Sequence, residues 1–433
     1  MIRKLIAAAA VMAATAAPAA AQDFTITNAR IADGMGGEIE NGTITVRGGR
    51  IASVAPGSGP VGAIDAGGAW VTPGYIASYS VLGLAEVNAV GDADDREADE
   101  SPYSAALKAS DAINPSSAAL GVSRADGITR VAVVPRPGRD VFGGTAAVIS
   151  MADGVDRPLV KDDAFQVIAL GEYGAELAGG ARTATYARLR DAFREAAAYA
   201  RNPSSYVFGR TQDALLTRAD AEALVDVIRG RTPAALIVNR EADIRRALEL
   251  KDEFPDMEIM LFGAAEGWLL ADEIAAAGVP VMAVPMENLP HSFEALAATQ
   301  SNIGRMIDAG VKVATIDLGT STITPNLAQQ AAQLVAQTRI PGATGVTHGE
   351  ALTTITSAPA DVLGLDDVGR IAPGARADLV IWDGDPLESR SAPTRVFIDG
   401  IEQPLDSRQR RLRDRYNPAN PESPLPPQYT RSR

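Results

Sequence analysis

Apolar and polar residues alternate at both ends of the chain and change period in the middle. Thr25-Ile26-Thr27-Asn28-Ala29-Arg30-Ile31 opens an alternating run, the signature of a strand with one buried face. Thr43-Ile44-Thr45-Val46-Arg47 and Arg50-Ile51-Ala52-Ser53-Val54 flank Gly48-Gly49, which predicts a hairpin with a tight turn. Ala377-Asp378-Leu379-Val380-Ile381-Trp382-Asp383 and Thr394-Arg395-Val396-Phe397-Ile398-Asp399-Gly400 predict two further strands near the other end. Between them, apolar runs at 70–76, 128–135, 165–171, 234–239, 258–263, 279–285 and 311–317 alternate with helical stretches, clearest at 183–201, 217–230 and 240–254. Thr217 and Asp220 predict a capped start for the second of these helices. Such alternation predicts βα units and a parallel sheet. Seven or eight units in roughly 300 residues fit a closed barrel better than a doubly wound sheet. The fold class is therefore α/β: a (β/α)8 TIM-like barrel over 71–365 and a small β-sandwich built from both ends, 22–70 and 366–403. Residues 404–433, with Arg408-Gln409-Arg410-Arg411 and Pro424-Leu425-Pro426-Pro427, read as an extended C-terminal arm.

Residues 1–21 follow another pattern. Arg3 and Lys4 precede an apolar stretch that ends at Ala19-x-Ala21, which predicts a signal peptide and export to the periplasm. That stretch falls short of the roughly 20 residues a membrane span needs, and no later segment is a candidate after cleavage. A net charge of −14 disfavours nucleic acid and anionic membranes as partners. The densest acidic run, Asp92-Ala93-Asp94-Asp95-Arg96-Glu97-Ala98-Asp99-Glu100, reads as a solvated loop without calcium-loop spacing. The absence of cysteine removes disulfides and thiolate chemistry from consideration.

The segment Val71-Thr72-Pro73-Gly74-Tyr75-Ile76-Ala77-Ser78-Tyr79-Ser80-Val81-Leu82-Gly83-Leu84 resembles the first barrel strand of the amidohydrolase superfamily. In that strand Pro-Gly, two apolar residues, Asp, x, His, x, His form the metal-binding signature. Pro73, Gly74, Leu82, Gly83 and Leu84 match, whereas Ala77 holds the Asp position and Tyr79 and Val81 hold the His positions. Residues 351–365 look like the family's helix after the eighth strand. Val368-Gly369-Arg370-Ile371-Ala372-Pro373-Gly374-Ala375-Arg376-Ala377-Asp378-Leu379-Val380 resembles the G-x-I-x-P-G-x-x-A-D-L-V run that returns the chain to the sandwich. Within the superfamily the likeness is to the imidazolonepropionase-like group. It implies a hydrolase of carbon–nitrogen bonds other than peptide bonds. A metal at the barrel mouth would lower the pKa of bound water from about 15.7 to about 7. Forfeiting that shift costs about 12 kcal/mol in nucleophile availability.

The resemblance also implies metal ligands at the tips of strands 1, 4, 5 and 6 and a proton-shuttling aspartate on strand 8. In the stretch resembling the family's H-x-H-R-x-x-D-I pattern, Ile237 and Asn239 occupy the histidine places, ahead of Arg240, Asp243 and Ile244. Phe262 stands in place of the strand 6 histidine, and Leu318 at the strand 8 aspartate, with Asp317 one residue earlier. A one-residue offset turns a strand side chain to the other face. The chain holds two histidines. His348 lies in a capping-box pattern, Thr347-His348-Gly349-Glu350, that starts a helix, and His291 follows strand 7 on the mouth side. A catalytic zinc takes three protein ligands, so neither a metal site nor a cofactor is expected. Tyr79, Glu172, Asn239, His291 and Asp317 remain as polar candidates to bind a small amide or peptide ligand. Glu172 reads either as a remnant of the family's bridging carboxylate or as a surface residue. Phe142-Gly143-Gly144-Thr145 reads either as a glycine loop of the group or as a simple turn. Two functions follow. One is a non-catalytic binding or partner subunit, a pseudoenzyme in a homo-oligomer or paired with a related amidohydrolase. The other is a divergent hydrolase of amide or dipeptide-like substrates, with a rearranged site on Glu172, Asp317 and His291.

Overall fold

The computed structural model describes residues 23–87, 90–206, 214–317 and 326–416. The expected signal peptide, Leu318 and the Pro424–Pro427 run lie outside them. Strands β1 (Phe24–Ala32), β2 (Glu38–Arg47), β3 (Arg50–Pro56), β4 (Ile64–Asp65) and β5 (Trp70–Pro73) open the chain. The β2–β3 hairpin turns on Gly48 at φ 54° and Gly49 at φ 79°, since a two-residue turn of this hand needs positive φ twice. The expected strand 70–76 is in fact two strands. β5 pairs with β1, whereas β6 (Tyr75–Ser80) enters the barrel. Gly74 makes the crossing. A Cβ there would lie 2.1 Å from Thr129 Cγ2, so only glycine lets the chain pass this close.

The barrel continues through β7 (Ile128–Val133), β8 (Phe142–Ser150), β9 (Leu159–Ala169), β10 (Ala234–Val238), β11 (Ile259–Gly263), β12 (Val281–Ala283) and β13 (Val313–Thr315). These strands pair in chain order. All neighbours are parallel except β8, which runs antiparallel to both β7 and β9. Phe142-Gly143-Gly144-Thr145 is therefore neither loop nor turn but the start of β8. Its glycines serve close packing: a Cβ on Gly143 would sit 2.7 Å from Pro137 N, and one on Gly144 2.5 Å from Leu107 O.

Alternation sorts the side chains as a barrel requires. Ile76, Phe165, Val167, Ala235, Met260, Met282 and Ala314 fill the interior. Ile168, Leu236, Leu261 and Val281 face outward, onto a core that includes Leu189, Phe193, Leu224 and Ile244 from the surrounding helices. Those helices are Arg182–Arg201, Arg218–Ile228 and Glu241–Glu253. Thr217 caps the second, accepting from Asp220 N. The helix expected across 351–365 is broken into His348–Thr353 and Ser357–Val362. The intervening residues close the barrel instead, with Thr315 N–H donating to Thr354 O and Ile76 N–H to Ile355 O, each at 2.9 Å. Thr353, Thr354, Ile355 and Thr356 are β-branched, which weakens the helical alternative. The Thr347–Glu350 capping box forms as expected.

β14 (Leu379–Trp382), β15 (Pro393–Ile398) and β16 (Ile401–Glu402) join β1–β5 in one wrapped sheet, so both chain ends build the second unit. Its interior holds Ile26, Ile31, Ile44, Ile51, Val71, Leu379 and Phe397. A buried ion pair ties the two units: Arg130 on β7 donates to Asp378 at 2.8 and 3.1 Å and to Asp399 at 2.9 Å. The expected extended arm is partly helical, Arg408–Tyr416. Arginine, glutamine and leucine are strong helix formers there.

Candidate ligand site at the barrel mouth

The first strand reaches the mouth through a bulge. Ile76 and Tyr79 stand three apart yet both face the interior, which an unbroken strand forbids. The register slips between Ala77 and Ser80. Tyr79 thus points into the barrel, while Val81 is fully buried and takes no part in the cavity. Phe262, at the tip of β11, meets Tyr79 edge to face, with centroids 5.2 Å apart at 65°. Ile237 pairs in register with Phe262. Tyr79, Ile237 and Phe262, which the sequence resemblance sets at histidine positions, therefore line one cavity of about 290 Å³. Phe165, Val167 and Ala235 complete its floor and walls.

The rim is Val134-Pro135-Arg136-Pro137 and Tyr173. Arg136 donates to the Tyr79 hydroxyl from Nε at 3.3 Å and Nη2 at 3.2 Å. The Tyr173 hydroxyl donates to Pro137 O, and burial raises its pKa. Arg136 also contributes to the field that lowers the Asp94 pKa, although the hydrogen bond from Arg96 is the larger cause.

Of the five predicted polar residues only Tyr79 lines this cavity. Asn239 accepts from Ala265 N at 3.4 Å, directed at the turn after β11 because the strand ends at Val238. Glu172 is exposed in the first turn of a short helix, Gly171–Leu177. His291 is exposed in the loop after β12. Asp317 is buried at 4% exposure beyond β13 and away from the cavity wall. None of these four lines the cavity. His348 instead links the helix start to the β unit, Nε2 lying 2.9 Å from Asp385 Oδ1.

Two buried carboxylates escaped sequence reading. Glu266 accepts from Glu241 N and from Ala297 N, each at 2.9 Å. Glu294 accepts from Glu172 N and, at 2.6 Å, from Arg182. The helices beginning at Gly171 and Glu241 have no side-chain cap of their own. Distant carboxylates satisfy their first amides instead. Burial, outweighing the bond from Arg182, raises the Glu294 pKa.

The donor set does not fit a divalent metal. A zinc site draws its ligands from imidazole, thiolate or carboxylate, and the cavity wall offers phenyl rings, phenols and one guanidinium. Among the described residues no group of three or more His, Cys, Asp or Glu is placed to hold a metal. Residues 318–325, which follow β13, contain none of these types.

Residues 234–403 match the model of the amidohydrolase family. A solved amidohydrolase from Thermotoga maritima MSB8 superposes with a TM-score of 0.77 at 25% identity, over 88% of this chain and 99% of that one. Amidohydrolase tasK of Hapsidospora irregularis is 25% identical over 78% of this chain and 37% of its own length. An imidazolonepropionase of Paracoccus denitrificans (strain Pd 1222) is 31% identical over 39% of this chain and 45% of its own. The chain thus spans less than half of either of these curated relatives. Barrel, two-ended β unit and C-terminal run agree on one assignment: residues 234–403 carry an amidohydrolase family domain, within a fold similar to that of the Thermotoga maritima amidohydrolase.

Proposed function

We propose that this chain binds a small organic ligand at its barrel mouth without activating water through a metal. One observation carries the reading: residues that the sequence resemblance sets at three histidine positions are walls of a single apolar cavity. Apolar walls with a few convergent polar groups are what small-molecule sites commonly present. Hydrolysis without the metal would rest on general acid–base help worth roughly 10²- to 10⁴-fold, and Glu172, His291 and Asp317 are not among the residues that line the cavity. The reading includes export to the periplasm, motivated by Arg3, Lys4 and the apolar stretch after them, and service as a partner subunit to a catalytically complete relative.

The relatives' enzyme names support an alternative, a divergent amidohydrolase acting on amide or dipeptide-like substrates. A panel of N-acyl amino acids and dipeptides, assayed with and without added zinc, separates the two. The binding reading expects no turnover above background. Zinc-independent turnover that is lost in Asp317→Asn would establish the alternative.

A further inference from the structure

We propose that Arg136 is a carboxylate anchor, so that the mouth cavity takes small ligands joining an apolar body to one carboxylate. The inference rests on reading the cavity as a ligand site and names what that site selects. Arg136 is half-buried at the rim. Pro135 and Pro137 flank it and restrict the backbone, and its own N–H donates to Arg96 O at 2.7 Å. The side chain is thus set in position before any ligand arrives.

Most other half-buried arginines in the structure are matched by carboxylates, Arg305, which stacks on Trp268, being an exception. Arg96 pairs with Asp94, Arg188 with Asp140, and Arg182 with Asp243 and Glu294. Among the described residues Arg136 has no carboxylate within ion-pair distance, and its partner is the neutral Tyr79 hydroxyl. A guanidinium presents five N–H donors in a planar fork suited to a carboxylate. Nε and one Nη2 proton are engaged, which leaves donors for an incoming anion. The Tyr79 oxygen accepts from Arg136 and keeps its own proton to donate to the same anion.

The rest of the cavity decides the other end of the ligand. Phe165, Val167, Ala235, Ile237 and Phe262 offer side-chain carbon only, and the Tyr173 hydroxyl is already committed to Pro137 O. An amide pressed against these walls would lose its water without replacement. An alkyl or aryl group would not. The ligand chemistry is therefore an aryl- or alkyl-carboxylate, with the charge at the rim and the carbon inside.

Isothermal titration with 4-phenylbutyrate and its neutral isostere 4-phenylbutanamide tests this on the full chain. The carboxylate should bind about 10- to 100-fold tighter than the amide, the range expected for charge-assisted hydrogen bonds. Arg136→Met should bring the carboxylate down to the amide's affinity and leave the amide unchanged. Arg136→Lys should fall between, because it keeps charge without the fork. Ile237→Trp, which fills the cavity from a half-buried position, should abolish binding of both probes, with circular dichroism confirming the fold. Equal affinities in the native chain, both lost in Ile237→Trp, would overturn the anchor and leave the cavity reading standing. Binding of neither probe, or binding indifferent to Ile237→Trp, would overturn both.

Discussion

Arg130 is 1% exposed and carries a full charge between the barrel and the β unit. Asp378, equally buried, and Asp399 satisfy it, and Arg376 bonds the same Asp399 oxygen. Removing one partner of such a pair strands a charge in a poor solvent. Arg130→Met should cost about 3–5 kcal/mol in urea unfolding, and adding Asp378→Leu should recover much of it. Tyr75 lies at the same junction, its hydroxyl donating to Pro386 O at 2.8 Å. Burial, with Asp385 nearby, holds the phenol well above its ordinary 10.0. The unfolded chain therefore ionises first as pH rises past about 10, and stability falls from there upward. Tyr75→Phe should flatten that alkaline decline in a pH series of thermal melts. The Asp of the A-D-L-V run was legible as a family mark, but its role was not, because its partner lies 248 residues away.

At the scale of elements, much of the β unit was legible because alternation marks its strands and Gly48-Gly49 marks the β2–β3 turn. Gly74 was not, since Pro73-Gly74 sits inside a run that reads as continuous. Gly74→Ala should destabilise the chain by several kcal/mol, and in a double-mutant cycle Thr129→Ala should recover only part of it, because the residue 129 Cβ would still lie 2.7 Å away. β8 was missed because its glycines carry the composition of a turn while packing as strand. Glu266 and Glu294 were missed because a cap supplied from another loop leaves no local pattern. Glu266→Gln and Glu294→Gln should each cost about 1–2 kcal/mol. Faster amide exchange confined to the helix starts at Glu241 and Gly171 would locate the loss, and global exchange alone would contradict the capping role.

For the molecule as a whole, an amidohydrolase-like barrel surrounds an apolar cavity at its mouth. The resemblance pointed to Tyr79, Ile237 and Phe262, and the structure gathers them around one cavity. It could not point to Arg136, in the loop after β7, or to Tyr173, in the short helix Gly171–Leu177, because their place at the rim follows from the barrel's closure. Nor could it place Asn239, Glu172, His291 and Asp317, because strand ends and loop turns decide where those side chains go. Under the proposed function, rings and aliphatic carbon stand where the resemblance expects imidazoles, and ion coordination and apolar burial demand opposite surroundings. Metal stoichiometry tests this most directly. The full-length chain, expressed in zinc-supplemented medium and purified without chelator, would be analysed by inductively coupled plasma mass spectrometry. Zinc and other divalent transition metals well below one per chain, lost on simple dialysis, are the predicted result. One divalent ion per chain that survives dialysis would contradict it.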